Sequence, residues 1–364
     1  MNITENQQSK NNFIMGDEMF LGVFDTDGGV FIGLNSYLSK ESRKNNPDNL
    51  PFGFSITYEV AQSKRKKDLV QKVAEKFESN PTSKDGNSFK VNRANPVGQK
   101  VREFLLKNNP RHPGRLHDFL ISEKMIELLD QKAQYTKKGL VTLIILTYNN
   151  KRNQNEQEIN FRKYPLDFWI KQINATEQEI LQGKAEAALI LESINKETSQ
   201  LKQKLPNMKF SLEYTMGAHF GDGGFTVALS WNPSTKGDRR RSVPEWTISG
   251  EDNSYCLAFA NTFDGGINKA GPNYYKFYLR GIENCAKILE IFEEALWLPE
   301  YKRQQFERFA KAVRLLVAKE HMTARGVETL VELVYDLGEK GGRPYPKEQY
   351  VEWGISWLKK NNYI

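Results

Sequence analysis

Three segments of the chain alternate between large apolar side chains and polar or small ones. Phe54, Ile56, Tyr58 and Val60 alternate with Ser55, Thr57 and Glu59. Phe225, Val227, Leu229 and Trp231 alternate with Thr226, Ala228 and Ser230, and Tyr275, Phe277 and Leu279 alternate with Tyr274, Lys276, Tyr278 and Arg280. A period of two predicts strands with one buried and one wet face. Helical spacing follows at 66–77 and 253–263, and again at 98–107 and 282–295. Each half of the chain therefore predicts the order αββαββα, an α+β unit built on an antiparallel sheet.

The halves also repeat particular residues. FLGVFDTDGGVF (20–31) and TMGAHFGDGGF (215–225) share Gly-x-x-x-x-Asp-Gly-Gly, with Asp27 and Asp222 before Gly28 and Gly223. Further on, Lys132-x-x-Tyr135-Thr136-x-Lys138-Gly139-Leu140 matches Lys319-x-x-Met322-Thr323-x-Arg325-Gly326-Val327, and Arg162-x-Tyr164-Pro165 matches Arg343-x-Tyr345-Pro346. Thr136 and Thr323 are predicted helix N-caps. The three pairs are 195, 187 and 181 residues apart, collinear matches that point to a tandem duplication. Between the copies, 174–206 is rich in Glu, Lys, Gln and Ala and reads as a partly helical linker. The predicted division is thus 1–173, 174–206 and 207–364.

With 364 residues, two compact domains fit the ~150 residues typical of one. The longest apolar run, around 140–146, is far short of the ~20 residues needed to cross a bilayer, so no membrane partner is expected. Two cysteines, Cys256 and Cys285, are too few for a disulfide framework or a four-ligand zinc site. The four histidines have no cysteine partners near them, and His219 reads as a packed residue. Lys and Arg exceed Asp and Glu by 52 to 45, a net charge of +7 that favours a polyanionic partner.

The polar strand faces carry Ser55, Thr57, Glu59, Lys276, Tyr278 and Arg280, side chains that can bond base edges in the major groove. Basic clusters flank them at Lys64, Arg65, Lys66 and Lys67, at Lys151 and Arg152, and at Lys236, Arg239, Arg240 and Arg241, in positions suited to phosphate contacts.

The paired corners, read with the strands that follow, resemble the LAGLIDADG homing endonucleases. FLGVFDTDG (20–28) matches that signature well, and TMGAHFGDG (215–223) keeps its terminal Asp-Gly. The Lys-x-x-[Tyr/Met]-Thr-x-[Lys/Arg]-Gly blocks are similar to a segment of the organellar, intron-encoded members. The resemblance implies two tandem αββαββα domains related by a pseudo-two-fold axis, each presenting a DNA-binding sheet. In it, small Gly22 and Gly217 let the signature helices pack closely. Asp27 and Asp222 end those helices at the domain interface, with Gly28 and Gly223 as left-handed caps and part of the metal site.

The implied activity is cleavage of both strands of a long, asymmetric double-stranded DNA target by a monomer. Its cofactor is Mg²⁺, as two or three ions; Mn²⁺ is expected to substitute, and Ca²⁺ to allow binding without turnover. Lys132 and Lys319 are the expected basic residues near the pockets, and Gln62 the expected water-positioning residue. Ungapped pairing of the halves sets Ile248 opposite Gln62, so the two pockets are expected to be unequal. The alternative function is a maturase-like protein that binds intron RNA; a third is a DNA-binding regulator built from an inactive copy of the fold. The resemblance also implies a protein made in a chloroplast or mitochondrion; the first dozen residues show no leader pattern, and the chain is otherwise expected to be intracellular.

Overall fold

The computed structural model describes residues 13–36, 52–150, 165–231, 241–295, 297–335, 337 and 344–364. Its described residues form two compact units, Met15–Asn207 and Met208–Ile364, the latter joined by Phe13 and Ile14. No helix among the described residues is long and apolar enough to cross a membrane.

The first unit opens with helix α1 (Asp17–Asp27), in which Met19 through Thr26 are all buried. Acids Asp17 and Glu18 occupy its first turn, where the helix dipole favours negative charge. The chain passes without a loop into β1 (Gly28–Ser36), which pairs antiparallel with β2 (Phe52–Ala61) in the register Gly28↔Val60. Helix α2 (Lys67–Lys76) follows, then β3 (Ser88–Asn92), which pairs with β2. Ile56, Tyr58 and Val60 are buried on one face of β2, while Ser55, Thr57 and Glu59 are only half-buried on the other, as their alternation predicts.

Among the described residues this copy has one strand after α2 where the repeat predicts two. The expected strand position is taken by a turn, in which Thr82 donates its N–H to Ser88 O (2.7 Å) and its hydroxyl accepts the Lys90 N–H (2.9 Å). The unit continues with α3 (Pro96–Asn108), α4 (Pro113–Asp130), α5 (Lys137–Asn149) and α6 (Leu166–Gln172).

The segment read as a linker is one helix, α7 (Glu177–Lys204), started by a reciprocal capping box between Thr176 and Glu179. It packs on α4 and α5 as part of the first unit, burying Gly183, Ala187, Ile194 and Thr198 along one face. Thr142 on α5 donates to Gly183 O at 3.2 Å.

The second unit repeats the plan with α8 (Leu212–Asp222), β4 (Gly223–Ser230), β5 (Arg241–Gly250), α9 (Asn253–Phe263), β6 (Gly266–Gly271), β7 (Tyr274–Arg280) and α10 (Ile282–Glu293). Its antiparallel sheet has the order β4-β5-β7-β6. Phe225, Trp246, Ile248 and Phe277 fill the inner face beneath Phe259 and Phe292. Among the described residues three further helices follow: α11 (Glu300–Val317), α12 (Ala324–Tyr335) and α13 (Lys347–Lys360).

Candidate active site

Both signature helices end on their aspartate, and the following glycine begins a strand. Gly28 (φ −84°, ψ 175°) and Gly223 (φ −82°, ψ 160°) are extended, so the left-handed caps expected from the sequence are not formed. Glycine is needed for a different reason. A Cβ on Gly28 would lie 2.6 Å from Phe24 O, and one on Gly223 would lie 2.6 Å from His219 Cα. The strand leaves so directly that its first residue passes over the last helical turn, which fixes each aspartate at the junction of helix and sheet.

In the first unit Gln62 lies just past β2, two residues beyond the Val60 that faces Gly28. Its N–H is anchored on Asn87 O at 2.9 Å, and its side-chain Nε2 donates to Asp27 Oδ2. Two site residues predicted from sequence thus meet in one hydrogen bond.

The second sheet gives the true counterpart. Gly223 faces Ile248 as Gly28 faces Val60, so Ile248 matches Val60, and the position matching Gln62 is Gly250. The match lies two residues beyond the one given by ungapped pairing, and the second copy has no side chain there.

Behind each corner lies a cation that sequence reasoning missed. On the first turn of α4, Arg115 donates from Nη2 to Thr26 O at 3.0 Å. On the first turn of α11, Lys302 is only 3% exposed, and its Nζ donates to Gly223 O. Both helices have 18 residues, and both residues hold the third position. The signal was present, since 115 and 302 are separated by the same 187 residues as the lysine blocks. It was hidden because Arg-Leu-His and Lys-Arg-Gln share nothing beyond the positive charge.

Lys132 and Lys319 occupy the opposite ends of those helices. Arg115 and Asp130 are 15 residues apart on one continuous helix, which at ~1.5 Å per residue is about 22 Å, several times the reach of a lysine side chain. Lys319 is equally far along α11 from Lys302. Neither exposed lysine reaches the acid corner of its own unit, and the catalytic role read from the sequence is corrected accordingly.

The repeated block around them is a folding device. Lys132 (φ 61°) and Lys319 (φ 57°) take the left-handed conformation that ends a helix, and a short 3₁₀ turn follows. Thr136 and Thr323 then cap the next helix through the N–H of Gly139 and Gly326, each at 3.0 Å. A Cβ on Gly139 would lie 2.2 Å from Ala133 O, and one on Gly326 only 1.9 Å from Glu320 O.

On the outer sheet faces, Ser55, Thr57 and Glu59 face the same way as Lys90, and Glu245, Thr247 and Ser249 the same way as Arg280, Tyr278 and Lys276. Lys64, Arg65 and Lys66 form a 3₁₀ turn that begins two residues after Gln62, with Lys64 paired to Asp85 at 2.9 Å. Arg241 is exposed at the start of β5; Arg239, Arg240, Lys236, Lys151 and Arg152 lie outside the described residues. His219 is fully buried and accepts the Trp246 Nε1–H at Nδ1 (3.0 Å), a packed residue as expected.

Among the described residues no three His, Cys, Asp or Glu side chains cluster as metal ligands. The donors at the corners are hard oxygens, the Asp27 and Asp222 carboxylates and the adjoining backbone carbonyls. That chemistry suits Mg²⁺, with water and phosphate oxygens completing the shell.

No family profile matches the sequence, and no curated protein matches it. Its fold is that of solved LAGLIDADG homing endonucleases. I-SmaMI bound to uncleaved DNA target in the presence of calcium ions superposes with a TM-score of 0.63 at 15% identity, covering 87% of this chain and 97% of that one. I-LtrWI bound to target DNA gives 0.62 at 14% identity over 88% and 97%. I-AabMI bound to uncleaved DNA gives 0.62 at 14% over 89% and 99%.

Proposed function

We propose that this chain is a site-specific endonuclease that hydrolyses phosphodiester bonds in both strands of an asymmetric double-stranded DNA target, acting as a monomer. The observation that carries the reading is the repeated corner: a carboxylate at the junction of helix and sheet, backed by a cation at the start of a long helix. The DNA-bound proteins of the same fold supply the substrate class.

Divalent metal ions, Mg²⁺ in this proposal, would be held by Asp27 and Asp222 with the carbonyls of Gly28 and, once Lys302 turns from it toward the phosphate, Gly223, and would supply Lewis-acid activation of water and phosphate. Two or three ions fit the proposal, with Mn²⁺ as a substitute and Ca²⁺ as a non-productive replacement. The chain's own part is positioning and charge. Arg115 and Lys302 stabilise the negative charge that grows on the phosphate. Gln62, released from Asp27, has an amide that can hold a water by both donor and acceptor. The outer sheet faces read bases, and the basic turn at 64–66 draws in phosphates.

The test is selection from randomised DNA duplexes in Ca²⁺, followed by cleavage of the enriched duplex in Mg²⁺. The expected result is one enriched site and double-strand breaks that the Asp27→Asn, Asp222→Asn double variant does not make. Absence of enrichment, or full cleavage by the double variant, would overturn the proposal. Enrichment of a folded RNA over duplex DNA in a parallel selection would favour the maturase reading instead.

A further inference from the structure

The outer face of the second sheet carries an acid where a surface built only to hold phosphates would exclude one. Glu245 on β5 is directly opposite Arg280 on β7. Arg280 donates Nε–H to Glu245 Oε2 at 2.7 Å, and its Nη2 lies 2.5 Å from the same oxygen. The Glu245 side chain is only 14% exposed, whereas that of Arg280 is 52% exposed. The carboxylate therefore sits under the guanidinium and holds it from below.

A second contact holds the guanidinium beside an aromatic ring. The Arg280 Cζ lies 4.6 Å from the centroid of the Tyr278 ring. Tyr278 is itself seated: it faces Gly266 across the β6–β7 ladder, and a Cβ on that glycine would come within 2.5 Å of the Tyr278 hydroxyl. Gly266, Tyr278, Arg280 and Glu245 form one supported series across three strands.

Glu245 uses the edge of the guanidinium formed by Nε and Nη2. The remaining edge, from Nη1 to Nη2, carries two parallel N–H donors on a side chain that is half exposed. That pair matches the N7 and O6 acceptors of guanine in the major groove. A carboxylate under the cation weakens a phosphate contact, which depends on charge, and strengthens a base contact, which depends on orientation. The first sheet shows the contrast: Glu59 also faces a base, Lys90, but at 3.7 Å and with an ammonium that has no planar fork.

We infer that Arg280 reads one guanine in the half of the DNA site facing the second unit, with Glu245 and Tyr278 as positioning residues. The inference rests on the proposed function for its substrate, duplex DNA, and adds a base and a reader to it.

The test uses the full chain in Ca²⁺ with randomised duplexes, comparing wild type with Arg280→Ala, Arg280→Lys and Glu245→Gln. Wild type should enrich a site with guanine fixed at one position. Arg280→Ala should lose that preference by roughly 5- to 150-fold at that position alone. Arg280→Lys should keep part of it, and Glu245→Gln should relax the same position while thermal stability and preference elsewhere are unchanged. A uniform loss of affinity in Arg280→Ala, with the salt slope reduced by about one, would make Arg280 a phosphate contact and overturn the inference. So would unchanged base preference in that variant, and in either case the endonuclease proposal stands. Failure of the wild type to enrich any duplex would overturn both.

Discussion

Gln62 donates its side-chain N–H to the Asp27 carboxylate, while the position that matches it in the second sheet is Gly250. The two acid corners are built alike in backbone, and only the first has a side-chain amide at this position. If the amide orients water at the first corner only, the two strands are cut at different rates. Supercoiled plasmid carrying one target site should pass through a nicked form before becoming linear. Gln62→Ala should slow the cut made at the first corner and leave the other unchanged, which strand-specific end labels would read. Equal rates in wild type would remove the role given to Gln62.

Arg115 and Lys302 give a second expectation. Each contacts a backbone carbonyl at its own corner, Thr26 O and Gly223 O. Arg115→Met and Lys302→Met should each lower the rate of one strand cut by about 10²- to 10³-fold, the usual loss for a preorganised charge stabiliser. Binding in Ca²⁺ should survive, and Lys302→Arg should recover part of the lost rate. Because Lys302 is nearly fully buried, a melting curve must accompany that variant; unchanged cleavage by a stably folded Lys302→Met protein would exclude the role.

The paired corners were legible because duplication prints the same residues twice. Asp27, Asp222 and the strand alternation survive in both copies, and period two directly reports which side of a sheet is buried. The cations were not legible, since a single basic residue on the first turn of a helix has no distinguishing pattern until the fold brings it to a carbonyl. Lys132 and Lys319 misled for the opposite reason. Their block repeats in both copies at the same spacing, and the structure shows that backbone geometry explains its shared residues: a left-handed helix end, a threonine cap and a glycine under a carbonyl. The register of Gln62 against the second copy also depended on strand pairing, which no single strand reveals.

Burial of the two thiols yields a prediction independent of function. Cys256 and Cys285 are fully buried, and burial pushes each thiol up to about 12. At pH 8 both should resist a thiol reagent until the second unit unfolds, then react together. The sign for stability follows: a pKa raised in the folded state favours the fold below the unfolded value near 8.5, and the contribution is lost as pH rises toward 12. Rapid labelling of either thiol in the native protein would contradict the burial.

The lysine blocks separate catalysis from architecture. Lys132→Met and Lys319→Met remove the charge but leave the left-handed turn, so cleavage rates on both strands should stay within about twofold of wild type and stability within ~0.5 kcal/mol, the range for exposed substitutions. Gly139→Ala and Gly326→Ala add one methyl group each, 2.2 Å and 1.9 Å from a carbonyl oxygen, and neither neighbouring backbone can withdraw without opening the cap made by Thr136 or Thr323. Those substitutions should destabilise by about 1–3 kcal/mol, read as a lower denaturant midpoint at constant slope. Lost cleavage at an unchanged midpoint for the lysine variants would return Lys132 and Lys319 to the chemistry. An unchanged midpoint for both glycine variants would show that the helix corners yield more readily than their close contacts imply.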